Sequence, residues 1–199
     1  LLDAKAKTLG VPCYDLLGGK IRDRLRVYWS HCVTWRAARR PFYQPEITDA
    51  DGVRALGREV RERGFTGLKT NMFRYEDGKI AGWGAGFGTP FVPELNIDRK
   101  LINGLRDHLQ LLRESAGPDM DILLDLNFNA KTEGYLKILR AIEDFDMFWV
   151  EIDTLNPQAL AWLRSQSRHP IASCETLIGA QQFMPFLREQ AVDVAIVDT

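Results

Sequence analysis

Long apolar runs are missing from this 199-residue sequence. None approaches the ~20 residues that a membrane-spanning helix needs, so no membrane role is expected. Charge of one sign is missing too: 26 Lys and Arg stand against 27 Asp and Glu, for a net charge of −1, and no basic block occurs. That removes the electrostatic case for a nucleic-acid partner. Cysteine is scarce. Cys13, Cys32 and Cys174 lie far apart, with neither metal-ligand spacing nor an even disulfide framework. A reducing compartment, the cytoplasm, is therefore the expectation. There is no low-complexity segment, and the first residues read as a helix and not as a signal peptide. The sequence opens inside an apparent helix and closes on the strand-like Val194–Thr199, so both ends are expected to be cuts in a longer polypeptide.

What is present is a repeated arrangement of acids. The apolar run Ile122-Leu123-Leu124 stops at Asp125, Phe148-Trp149-Val150 stops at Glu151, and Ile171 to Cys174 stops at Glu175. A short continuous apolar run suits a strand buried on both faces, as in a parallel sheet. The acids follow one another at 26 and 24 residues. That is close to one strand–helix unit of about 30 residues. Three parallel strands would then present carboxylates at one end of the sheet. Convergent carboxylates repel and are costly to bury unpaired, and a hard divalent cation, which takes oxygen ligands, resolves both problems. A single such acid is more simply a helix cap or the partner of an Arg.

The rest of the chain alternates in the same way, which marks a parallel α/β fold. A helix and a Gly18-Gly19 turn occupy residues 1–24. Strands are expected over Leu25–Cys32, Phe65–Phe73 and Val194–Asp198. Helices are expected over Asp49–Arg63, Asn96–Ser115, Thr132–Glu143, from Pro157 behind the N-cap candidate Asn156, and over Gly179–Glu189. Arg36–Pro45 reads as a loop. Arg74–Pro93, rich in glycine and carrying Trp83, Phe87 and Phe91, reads as a long connection. Arg39 and Arg40, His108 and His169 receive no role.

Taken together, these residues resemble the enolase superfamily, in the branch of mandelate racemase and the muconate-lactonising enzymes. The resemblance covers nearly the whole chain. Asp3 to Pro12 and Tyr14 to Lys20 look like the helix and turn leading into that family's barrel, and Phe65-Thr66-Gly67-Leu68-Lys69 looks like its second-strand motif. The resemblance implies a modified (β/α)7β barrel of the TIM type. Residues 1–24 would lead into it, and 25–199 would form a partial barrel of about six parallel strands, the metal-binding catalytic domain. Most of the capping domain and the last strands would be lacking. It implies Mg2+ held by Asp125, Glu151 and Glu175, with Lys69 as electrophile or proton carrier. Asp198 would orient a catalytic His on the next strand.

The same resemblance implies a carbon–oxygen lyase: a dehydratase of aldonic or aldaric sugar acids. It would remove the proton next to the carboxylate through an enediolate whose charge a metal stabilises. Where the family often carries a second Lys, this chain has Asn71, which can hydrogen-bond a substrate hydroxyl but cannot serve as the base. Asn127 and His31 are further candidate substrate contacts. Glu151 is followed by Ile152 and not by the acid common in the family. A cycloisomerase of an anhydro-sugar acid or sugar lactone shares the enediolate step, and a racemase or epimerase is a more distant rival. Outside enzymology, the alternatives are a sugar-acid-binding barrel without activity or an incomplete, inactive fragment. The expected partner is a small sugar acid, and the full-length protein is expected to be a homo-oligomer.

Overall fold

The structure, a computed structural model, describes residues 1–37, 43–82 and 97–198. Arg39, Arg40, Trp83, Phe87, Phe91 and the expected helix start at Asn96 lie outside the described residues. The helices α1 (Leu2–Leu9) and α2 (Cys13–Leu16) come first, then β1 (Trp29–Cys32) and the short α3 (Thr34–Ala37). They are followed by α4 (Ala50–Glu62), β2 (Gly67–Thr70), β3 (Phe73–Glu76), β4 (Lys79–Gly82) and α5 (Arg99–Ala116). Strand–helix units complete the chain: β5 (Asp121–Asp125), α6 (Thr132–Ala141), β6 (Met147–Glu151), α7 (Pro157–Gln166), β7 (Ile171–Ser173), α8 (Gly179–Arg188) and β8 (Val194–Ala195).

Six strands form one parallel sheet in the order β1-β2-β5-β6-β7-β8, as the alternation of elements requires. Its outer face is apolar. Leu68, Ile122, Leu124, Val150 and Ile171 are buried there with Val53, Leu56 and Val60 of α4 and Leu101, Leu105, Leu109 and Leu112 of α5. Those helical residues recur at three- and four-residue spacing, which puts them on one stripe. The caps follow from side-chain chemistry. Asp49 accepts from the Gly52 amide at 3.1 Å and Asn156 from the Ala159 amide at 2.9 Å, each satisfying a donor that has no partner inside its helix.

The connection after β2 differs from the expectation. Residues 73–82 form an antiparallel hairpin, with Phe73 opposite Gly82 and Glu76 opposite Lys79. Its turn is Asp77-Gly78, both at positive φ (48° and 75°). Asp-Gly suits a two-residue hairpin turn because both positions must tolerate a left-handed backbone. That dipeptide was the overlooked signal. The expected Arg36–Pro45 loop likewise begins with a residue pair, Arg36 and Ala37, that belongs to α3.

Candidate active site

In a parallel sheet all carboxyl ends lie on one edge, and register decides which side chains meet there. Asp125 pairs with Glu151, and Lys69 pairs with Leu123 two residues before Asp125. Side chains alternate between faces along a strand, so Lys69, Asp125 and Glu151 share the face opposite the helices. The Lys69 ammonium lies 2.9 Å from Glu151 Oε2 and 3.2 Å from Asp125 Oδ2, and all three side chains are at most 5% exposed. Asp125 Oδ1 accepts from the Asn127 amide N–H at 3.0 Å and from Asn127 Nδ2 at 2.8 Å. Asn127 needs a left-handed backbone to do this, with φ at 46°. Glu151 Oε1, by contrast, is buried with no hydrogen-bond partner.

A third buried acid completes the group. One oxygen each from Asp125, Glu151 and Asp153 lie within 4.8 Å of one another. Asp153 escaped the sequence reading because it sits beyond the strand. The period-two spacing Glu151-Ile152-Asp153 was the available signal, since it returns the side chain to the same face. Glu175 is not part of this close group. It lies two residues beyond β7 and is half-buried. Its charge still acts on Asp153, and burial, opposed by Lys69 and helped by Asp125 and Asp198, pushes its carboxyl up.

Burial is the largest influence on Glu151, Asp153 and Lys69. It drives Glu151 up to about 8, with Asp125 adding to the rise and Lys69 opposing it. It drives Asp153 up to about 7, helped by Asp125 and Glu175, while Ser173 donates a hydrogen bond that works the other way. For Lys69 burial favours loss of the proton, but the Asp125 and Glu151 carboxylates outweigh it, and the side chain is held as the ammonium. Fully ionised, the three carboxylates would leave two negative charges without counter-charge among these four side chains, and that repulsion adds to burial in raising Glu151 and Asp153. A divalent cation matches that deficit. The donors are all oxygen, one of them is orphaned, and their spacing approaches the ~4 Å between opposite ligands of a small cation. The residues therefore fit a hard divalent metal.

Around the group, Asn71 Nδ2 donates to the Asp125 carbonyl at 3.1 Å and to Asn127 Oδ1 at 3.3 Å, and the Thr34 hydroxyl donates to Asn71 Oδ1 at 2.6 Å. His31, next to the last residue of β1, has φ 51°, its Nδ1 2.8 Å from the Ser30 hydroxyl and its ring 4.8 Å from that of Trp35. Burial lowers its pKa, and Lys69 and Asp125 are close enough to act on it. Tyr28, edge-on to Trp149 at 5.7 Å, also senses Lys69, Glu151 and Asp125, a placement not foreseen from the sequence. Asp198 is exposed beyond the end of β8, with Glu175 within reach of its charge. Cys13, Cys32 and Cys174 are free thiols. No helix among the described residues is long and apolar enough to cross a membrane.

Comparison with known proteins places this geometry. A family model described as enolase C-terminal domain-like matches residues 52–199. A D-galactonate dehydratase family member from Streptomyces bingchenggensis is 28% identical over 97% of this chain and 46% of its own length. The D-gluconate dehydratase of Thermoproteus tenax is 27% identical over 98% of this chain and 34% of its own length. The chain thus spans about half the length, or less, of these curated relatives. A crystal structure from Burkholderia xenovorans strain LB400, bound to magnesium and fumarate, carries the provisional name L-alanine-DL-glutamate epimerase. It is 61% identical, with a TM-score of 0.93, over 99% of this chain and 49% of that one.

Proposed function

The chain belongs to the enolase superfamily through a domain of the enolase C-terminal type, and on that premise we propose that it carries the metal-binding half of a sugar-acid dehydratase site. Its six parallel strands are part of a TIM-type barrel, in which active sites gather at the carboxyl ends of the strands. The observation that carries the proposal is the buried Lys69 ammonium facing three carboxylates with an orphaned Glu151 oxygen. Magnesium would be held by Asp125 and Glu151, with Glu175 as the third expected ligand and Asp153 as a further oxygen donor. When bound, it supplies positive charge against the negative charge that develops on a substrate carboxylate as its neighbouring carbon loses a proton.

The chain's own residues do the rest. Lys69, kept protonated, offers N–H donors and a charge to the same developing anion. Asn71, hydrogen-bonded to Thr34 and Asn127, would hold a substrate hydroxyl, with Asn127 and His31 as further contacts. No second amine adjoins Lys69 on β2, so the base would come from elsewhere: by the resemblance, a His on a further strand, which Asp198 would orient. In dehydration the C2 proton and the C3 hydroxide leave together as water, and the resulting enol becomes a 2-keto-3-deoxy acid. The epimerase label of the Burkholderia xenovorans relative favours a second reading, in which the same proton is removed and returned to the opposite face.

Proton NMR of the full-length protein with magnesium in D2O separates the two, using D-galactonate, D-gluconate and the dipeptide L-Ala-L-Glu. A dehydratase converts a sugar acid to its 2-keto-3-deoxy product. An epimerase instead places deuterium on the dipeptide α-carbon. Glu151→Gln should weaken magnesium binding in calorimetry by about tenfold or more. Absence of α-proton loss from every substrate, or unchanged metal affinity in Glu151→Gln, would overturn the proposal.

A further inference from the structure

Thr70 stands between Lys69 and Asn71 on β2, but it points to the helix face, where it is fully buried. Its hydroxyl donates to the Cys32 carbonyl at 2.9 Å and lies 2.9 Å from His108 Nε2 of α5. His108 Nδ1 lies 3.0 Å from the Tyr75 hydroxyl of the β3–β4 hairpin. Proton accounting orders the chain. The Thr70 proton is committed to Cys32, so Thr70 must accept from His108 Nε2–H. His108 Nδ1 then has to accept from Tyr75. A neutral imidazole satisfies both bonds, and the side chain has no exposure to water.

The bond at the end of this relay falls on an unusual stretch of backbone. Cys32 sits between His31 and Val33, at φ 51° and 78°. Positive φ is a genuine outlier for a β-branched residue such as Val33, and such strain persists only where the surroundings enforce it. The β1–β2 register also shifts between Trp29 and Cys32, where Cys32 meets Thr70. The strained turn carries His31 towards Lys69 and Asp125, and it leads into Thr34, which holds Asn71.

We propose that His108 is a positioning residue: acting through Thr70, it pins the strained end of β1 to β2 and so fixes the backbone that carries His31 and the Thr34 hydroxyl that holds Asn71. The proposal rests on the functional reading above for its kinetic consequence, but not for its structural one.

The test uses the full-length protein. Thr70→Val keeps shape and removes the hydroxyl, His108→Leu removes both ring bonds, and His108→Gln keeps a donor where Nε2 stands. Thr70→Val and His108→Leu should each lower kcat on the active sugar acid by about 10- to 100-fold, the scale of a misplacement near 1 Å, with KM nearly unchanged. The double variant should be no worse than either single one, and His108→Gln should recover most of the loss. Magnesium affinity should stay put, because Asp125 and Glu151 lie on other strands. Losses that multiply in the double variant, or that follow melting temperature alone across the series, would overturn the proposal. If no sugar acid is turned over, the functional reading fails, and a crystal structure of Thr70→Val with magnesium and fumarate decides this one. Release of His31 from positive φ, with movement of Asn71, supports the pin; an unmoved β1 end refutes it.

Discussion

Lys69→Met tests the charge balance of the site most directly. Methionine roughly keeps the volume and removes the one ammonium that, among the described residues, pairs with Asp125 and Glu151, at 3.2 and 2.9 Å. Each attraction is worth about 5 kcal/mol at an effective dielectric constant near 20, but the lysine also pays a desolvation cost that methionine avoids. The net effect is therefore set by the buried carboxylates left behind. Removing one partner of a buried pair typically costs about 3–5 kcal/mol. Protonation of the acids recovers part of that, so the lower figure is the safer expectation. At about 2–4 °C per kcal/mol for a domain of this size, the melting temperature in EDTA should fall by about 6–12 °C. Magnesium should restore more stability to the variant than to the wild type, because three carboxylates without an ammonium have more to gain from a cation. The assay is thermal unfolding by circular dichroism, with EDTA and then with magnesium. A melting temperature within about 2 °C of wild type in EDTA, or equal magnesium stabilisation of both proteins, would refute the charge count.

Two further outcomes test the scaffold. Gly57→Ala on α4 places a Cβ 2.0 Å from Ser115 Oγ and 2.8 Å from Ser115 Cβ on α5. Denaturant unfolding should show a loss of about 1–3 kcal/mol, relieved by adding Ser115→Gly; an unrelieved loss would place the clash elsewhere. Burial lowers His108 from 6.5 to about 3. A depressed folded-state value means that the neutral ring stabilises the fold, fully above about 6.5, and that this contribution is lost as pH falls towards 3. His108→Gln, which does not titrate, should flatten the decline in unfolding free energy over that window by up to about 1.4 kcal/mol per pH unit, and matching slopes would show that His108 is not the buried neutral group.

Several features were legible in the sequence because they depend on neighbours along the chain. The alternation of apolar runs with amphipathic segments dictated parallel strands and covering helices, and Asp49 and Asn156 cap where their short polar side chains sit. Asp125 and Glu151 could be placed at one end of the sheet because parallel strands of similar length end together. Other features depend on distances that no local pattern encodes. Period-two alternation assigns a face, but twist and rotamer decide which carboxylates on that face converge, and so Asp153 joins Asp125 and Glu151 while Glu175 stays outside that close group. The left-handed backbone at Val33 runs against the preference of a β-branched side chain, and contacts made elsewhere hold it. His108 meets Thr70 across 38 residues of sequence, and a helical histidine acquires its partners only when α5 packs on β2. The sequence by itself determined which residues can bind a cation, while the tertiary structure decided which of them are desolvated together, and desolvation gives those charges their strength.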